Sequence, residues 1–366
     1  MSKKRPLPLP LRILFGAVSS LMALSLVFVL CLAGAAAYFN APPRAGGGLP
    51  PSLRPAQGPG FDESGSVLFE VREGESAYGV GQRLEQAGLI KSRRFWNLLS
   101  RLKKDYLKAG TYRLAVPASQ TEIRAVLVEG KQILVRVTIP EGVTLKKAAA
   151  VLEGARICGA EEFLAAASNR ALTDSYRVPN ETMEGYLYPE TYFFPAPFPA
   201  ERVVRTMADT FFDRIAEIDS RALSMGREEL NRIIILASIV EREYRVPDEA
   251  PVMAGVFYNR IRISMSLQSC ATVEYIITEL QGKPHPKVLY NSDIEMIHPY
   301  NTYVIPGLPP GPIALPGKTA LDAAFHPADT PYFYFRLVDE AAGRHYFSKT
   351  LDGHIRAGAL FVKGSS

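Results

Sequence analysis

Hydrophobic patterning divides the chain into stretches of different character. From Ile13 to Phe39, 27 residues pass without a charged side chain. That exceeds the roughly 20 apolar residues needed to cross the hydrocarbon core of a bilayer. Further on, apolar and polar residues alternate at Val67, Phe69, Val71 and again at Val135, Val137, Ile139, the period of a strand with one buried face. Each alternation runs into a glycine turn and then a Ser or Thr (Ser76, Thr144) placed to cap a short helix. The two passages, Val71-Arg72-Glu73-Gly74 to Phe95 and Ile139-Pro140-Glu141-Gly142 to Phe163, match at a displacement of 68 residues. Two strand–turn–helix units are therefore predicted. Beyond Glu161 the period becomes helical to about residue 280, most clearly over 200–218 and 227–243. From Pro284 to Pro316, Pro, Gly, Asn and Tyr dominate, which predicts a long irregular segment; such segments inside a folded domain are usually functional. Alternating aromatics between Pro331 and Ser348 read as a β-hairpin. The fold class is α+β.

Charge sharpens the first stretch. The net charge of +5 is concentrated in residues 1–60, which hold six basic residues and no acid, leaving residues 61–366 close to −1. A domain of that charge has no electrostatic footprint for a polyphosphate, so nucleic acid is not an expected partner. Lys3, Lys4, Arg5 and Arg12 precede the apolar run, and the positive-inside rule keeps them cytoplasmic. Residues 1–12 then form a cytoplasmic tail, 13–39 a transmembrane helix, and 40–65 a Pro/Gly-rich spacer lifting an exported region off the inner membrane. A cleaved export signal is the alternative, because Ala33-Gly34-Ala35-Ala36-Ala37 offers small residues for a peptidase; the length of the run favours an anchor. Only Cys158 and Cys270 remain in the exported part, read as two buried thiols rather than a disulfide framework.

The chemistry points to carboxylates. The five histidines lack metal-ligand spacing, and no nucleophile elbow or phosphate loop is present, so neither metal nor cofactor is expected. Ile233 to Val240 is apolar nearly all round, and Glu241 continues that helix on the face of Ala237 and Ile234. A carboxyl drawn out of water keeps its proton to higher pH, which suits a general acid. The competing reading makes Glu241-Arg242-Glu243 the solvated end of the helix. A second group, Glu184-Gly-Tyr-Leu-Tyr-Pro-Glu-Thr-Tyr192, interleaves acids with tyrosines, as a sugar site would; an aromatic core turn is its alternative. Tyr300-Asn301-Thr302-Tyr303, followed by Pro306-Gly-Leu-Pro-Pro-Gly-Pro312, reads as a rigid loop and a candidate cleft wall, with a purely architectural loop as the alternative.

Taken together and in order, these segments resemble the YceG-like family of endolytic murein transglycosylases. The likeness is carried by Glu184–Tyr192, Leu236-Ala-Ser-Ile-Val-Glu-Arg-Glu243, Val256-Phe-Tyr-Asn-Arg260, Leu267-Gln268, Tyr300–Tyr303 and Gly307-Leu-Pro-Pro-Gly311. The resemblance implies a small LysM-like βα module at 66–132 and a larger mixed α+β catalytic domain at 133–366. It implies cleavage of the β-1,4 bond between N-acetylmuramic acid and N-acetylglucosamine in nascent strands, leaving a 1,6-anhydro end. The family's catalytic Glu falls on Glu241. Glu184, Tyr188, Glu190, Tyr192, Asn259, Gln268, Tyr300, Asn301 and Tyr303 are the implied cleft residues. Ser269-Cys270-Ala271 stands where many relatives have an Asp-Pro stretch. Expected partners are peptidoglycan glycan strands, the membrane and a peptidoglycan synthase. The alternative is a non-catalytic wall-binding or division scaffold.

Overall fold

The computed structural model describes residues 9–43, 66–72, 74–103 and 105–363. Most of the expected spacer, from residue 44 to 65, and the first eight residues of the tail lie outside them. Contacts divide the chain into two units, Met1–Ile133 and Leu134–Ser366.

The first unit opens with α1 (Leu9–Asn40). Within it, Ala17–Asn40 is apolar enough to cross a membrane, with a mean hydropathy of 2.3 and no buried side chains. Then follow β1 (Ser66–Val71), α2 (Ala77–Gln86), α3 (Arg93–Lys103), β2 (Gly110–Ala115) and α4 (Gln120–Glu129). The alternation seen in sequence becomes an antiparallel pair, with Val67 opposite Leu114 and Phe69 opposite Tyr112. Those inward residues meet Val80, Leu84, Trp96, Ile123 and Leu127 in one core. Ser76 caps α2 by accepting from Gly79 N, and Ser119 with Glu122 forms a reciprocal capping box on α4.

The second unit contains β3 (Leu134–Thr138), α5 (Leu145–Gly154), α6 (Ala160–Ala167), α7 (Arg170–Ser175), β4 (Thr191–Pro195), α8 (Ala200–Ile218) and α9 (Arg227–Glu243). It continues through α10 (Ala250–Arg262), α11 (Cys270–Tyr275), α12 (Asn291–Ile294), α13 (Lys318–Phe325), β5 (Tyr334–Asp339), β6 (Arg344–Ser348) and α14 (Leu351–Lys363). β3 pairs with β4 and β5 with β6, both antiparallel. The expected aromatic hairpin is therefore present. Thr144 caps α5 through Lys147 N, as Ser76 caps α2, so the two strand–turn–helix passages form alike. One core packs β3, β4, α5, α6 and α8 together; a second gathers α9, α10 and α13 around Leu236, Val240 and Phe257.

One expectation fails. All three cysteines are free, but Cys158 is only half-buried and Cys270 is exposed: at the start of α11 its neighbours Ser269 and Ala271 turn inward while Cys270 faces the Tyr303 hydroxyl. The segment from Pro284 to Pro316 is irregular as expected, apart from the four-residue α12, whose first turn is stabilised by Asp293 accepting from Tyr290 N at 2.9 Å.

Candidate active site at the end of helix α9

Residues Ile234 to Val240 of α9 are all buried, so the last turn of this helix emerges directly from a core. It stops at Tyr244, whose backbone is extended, with Pro247 close behind. Successive helical residues point about 100° apart, so Glu241, Arg242 and Glu243 reach three different segments. Glu241 Oε2 accepts from Gly317 N at 2.9 Å. Arg242 donates to Gly142 O at 3.2 Å and to Glu274 Oε2 at 3.0 Å. Glu243 accepts a hydrogen bond from Ser269 Oγ.

The segment that supplies Gly317 is itself pinned. Ile313 N donates to Ser238 Oγ on α9 at 3.0 Å, and Leu315 N donates to Val143 O at 2.8 Å. Gly142 N returns a bond to Leu315 O at 2.9 Å. The 313–317 segment thus lies between α9 and the turn at 141–143, and brings Glu141 to the same place as Glu241. Two glycines make this possible. Gly142 has φ +70°, the left-handed region in which a side chain is strained. A Cβ on Gly317 would collide with the Glu141 carboxylate, so any larger residue expels it.

Glu241 is half-buried: neither in bulk water nor sealed. Burial raises its pKa to about 7; the Gly317 N–H opposes the rise, the Glu141 charge adds to it, and Arg242 opposes it. Burial likewise lifts Glu243 to about 7. Tyr244 is pushed up to about 12, first by burial and then by the charges of Glu241 and Glu141. A carboxyl with this affinity for its proton can donate near neutral pH and accept again within one cycle. Its Oε2 is occupied as an acceptor, which leaves Oε1 to carry the proton.

The other sequence candidates fall into three groups. Gln268 and Tyr303 lie on the Glu243 side of the site, Asn301 organises the loop between them, and Tyr300 lies against Tyr275, whose hydroxyl bonds to Glu184. Gln268 N donates to Thr302 O at 2.9 Å, from an exposed residue with φ +52°. Asn301 is wholly buried and organises its loop by donating to Ile294 O and Met296 O at 2.9 and 2.7 Å. Tyr303 is half-buried, with its hydroxyl 3.1 Å from Cys270 Sγ. Tyr300 packs, tilted by 33°, against Tyr275 at 5.3 Å between ring centres, and burial raises its pKa to about 12.

Glu184 and Asn259 are framework groups. Both oxygens of the buried Glu184 accept from Leu145 N, at 3.2 and 3.1 Å, at the start of α5. Burial lifts its pKa to about 8 against that hydrogen bond. Asn259 donates to Thr330 O and Tyr332 O at 2.7 and 2.9 Å, tying α10 to the chain entering β5.

Tyr188, Glu190 and Tyr192 form the third group, and here the sugar-stacking expectation needs correction. Tyr188 and Tyr192 are each only 7% exposed and belong to the β3–β4 core, with Tyr192 Oη bonded to Tyr188 O at 2.7 Å. Rings so enclosed have no face for a sugar. Glu190 pairs with Arg214 at 3.3 Å, while its carbonyl accepts from Ile139 N at 3.0 Å. That bond positions the turn carrying Glu141.

Glu141, Tyr244 and Gly317 are absent from the sequence candidates. Glu141 is visible there only as part of the repeated Glu-Gly turn, and Gly317 only as the end of a Pro/Gly-rich run. Among the described residues, no group of three or more His, Cys, Asp or Glu side chains is arranged to hold a metal ion.

Comparison with known proteins identifies the family. Residues 69–359 match the model of the YceG-like family. The chain is 27% identical over 322 residues to the endolytic murein transglycosylase of Bacillus subtilis (strain 168), covering 83% of this chain and 87% of that protein. It is 28% identical over 321 residues to the endolytic murein transglycosylase of Streptococcus pneumoniae (strain ATCC BAA-255 / R6), covering 79% of this chain and 57% of that protein. A crystal structure of a YceG-like protein from Listeria monocytogenes superposes with a TM-score of 0.53 at 29% identity, over 80% of this chain and 98% of that one. The mixed α+β architecture is thus shared, and the chain belongs to the YceG-like family.

Proposed function

We propose that this chain is a membrane-anchored endolytic murein transglycosylase that cuts the N-acetylmuramic acid–N-acetylglucosamine β-1,4 bond within nascent glycan strands. The observation carrying this reading is the half-buried Glu241 carboxyl, held protonated to about pH 7 with one oxygen fixed by Gly317 N. Glu241 Oε1 gives its proton to the glycosidic oxygen as the C1–O bond breaks. The resulting carboxylate then takes the proton of the muramyl C6 hydroxyl as that oxygen attacks C1, closing the 1,6-anhydro ring. Glutamate ends as it began, protonated, and no water is consumed. Ordinary glycosidases divide such roles between two carboxylates; here the substrate supplies its own nucleophile, so one suffices. Glu141 assists by making loss of the Glu241 proton costlier.

In this reading Gln268, Tyr300 and Tyr303 contact the strand, while Glu184, Asn259 and Asn301 hold the walls. Tyr188, Glu190 and Tyr192 support the turn that bears Glu141. Residues 1–12 are the cytoplasmic tail, 13–39 the span in the inner membrane, 40–65 the linker, 66–132 a LysM-like glycan-binding module and 133–366 the catalytic domain. A peptidoglycan synthase is the expected source of the strands. The test is digestion of purified glycan strands by the full chain, with products read by mass spectrometry. Anhydro-muramyl ends that vanish with Glu241→Gln support the proposal. Ordinary reducing ends would make the protein a hydrolase, and no cleavage by wild type would favour a wall-binding scaffold.

A further inference from the structure

Helix α3 carries two apolar stripes where a surface helix needs one. Trp96, fully buried, faces inward, with its indole N–H donating to Ala77 O at 2.8 Å. Phe95, Leu98 and Leu102 lie on another side at i, i+3 and i+7, a single helical face. Leu98 and Leu102 are 51% and 70% exposed. The surroundings of that face are strongly basic: residues 91–103 hold Lys91, Arg93, Arg94, Arg101 and Lys103 and no acidic residue. Arg94, Arg101 and Lys103 are exposed.

What this face meets is indicated by its junction with α1. Phe39 lies 6.4 Å from Phe95, ring to ring. Lys91 Nζ sits 4.7 Å from the centre of the Tyr38 ring. Gln120 donates to Phe39 O at 2.9 Å, and Asn40 exchanges two 3.1 Å hydrogen bonds with Thr121. Tyr38 to Asn40 end the apolar span, the position at which aromatic residues sit among lipid headgroups. With α1 as a span, Phe95 falls at headgroup depth, and Leu102, seven residues on, is about 10 Å further along the helix.

We propose that the outer face of α3 rests on an anionic lipid surface beside the point where α1 leaves the bilayer. The first unit then lies on the membrane instead of being lifted from it by the 40–65 segment. Leu98 and Leu102 enter the headgroup–acyl boundary while Arg94 and Arg101 meet lipid phosphates, the division of labour of an interfacial helix. This inference rests on α1 being a membrane span.

The test uses the full chain with its three cysteines replaced, inserted at one copy per lipid nanodisc, and a nitroxide at Leu102→Cys or Leu24→Cys. Collision with a water-soluble nickel chelate is measured in phosphatidylcholine discs and in discs containing phosphatidylglycerol. The expected result is a fall of about fivefold or more at position 102 in the anionic discs, reversed by Arg94→Glu with Arg101→Glu. Equal water access at 102 in both lipids, with position 24 still shielded, overturns the inference and leaves the anchor intact. Shielding at 102 that ignores lipid charge, or that needs two copies in one disc, also overturns it. Water access at position 24 removes the anchor and this inference together.

Discussion

Glu184 and Glu241 are both carboxyls drawn out of water, and burial lifts both, to about 8 and about 7. Their hydrogen bonding separates them. Glu184 directs both oxygens to one backbone amide at the start of α5, also accepts from the Tyr275 hydroxyl, and lies in the interior. Glu241 commits one oxygen to Gly317 N and remains partly open. A raised pKa therefore does not by itself mark an acid that can act on a substrate; a raised pKa together with an uncommitted, reachable oxygen does. The first carboxyl holds a fold in place, and the second is free to give its proton away.

The contrast can be broken most directly at position 241. Glu241→Gln should lower strand cleavage by about 10²- to 10⁴-fold, the range lost with a general acid–base group, with little change in melting temperature. Glu184→Ala should do the reverse. Stripping the partner from a buried amide costs about 2–3 kcal/mol of stability, measured by urea unfolding, while turnover by the folded fraction falls much less than for Glu241→Gln. A stable, inactive Glu184→Ala protein would collapse the distinction.

Acidity offers a finer probe. Glu184, Glu241 and Glu243 have native pKa values above their ordinary 4.5, so the native state binds more protons than the unfolded chain between that value and about 7–8. Stability is then greatest below the ordinary carboxylate pKa and falls as pH rises through this window. A tenfold tighter hold on one proton contributes at most about 1.4 kcal/mol. Unfolding curves at about pH 5 and about pH 8 should show the loss, and Glu243→Gln should flatten it. Cleavage should decline over the same interval as Glu241 gives up its proton. The smallest effect belongs to Glu190→Ala: Arg214 and Glu190 are 38% and 39% exposed, and removing their ion pair should cost less than about 1 kcal/mol in the same unfolding assay.

Local periodicity makes much of this fold legible. The helices over 200–218 and 227–243 and the aromatic hairpin follow from patterns contained within the elements themselves. The caps at Ser76 and Thr144 follow from neighbouring residues for the same reason. Contacts across long separations are not legible. Nothing near Glu241 in the chain announces Gly317, 76 residues away, or Glu141, 100 residues before it. The Glu-Tyr segment misleads because an aromatic residue suits a core as well as a sugar cleft; pairing of β3 with β4 decides for the core at Tyr192, and a bond from Tyr188 N to Met207 O of α8 draws Tyr188 into the same core. Cys270 misleads in the opposite sense, since thiols are usually buried and this one opens toward Tyr303.

The three-way grip of Glu241, Arg242 and Glu243 places a constraint on length rather than on composition. Adding or deleting one residue between Ile234 and Glu241 would rotate this trio by about 100° relative to the buried face. Each hand would then be offered to the wrong loop. Apolar substitutions of similar volume along the buried face leave the trio aimed as it is, whereas a change in the count of residues from Ile234 to Glu243 does not.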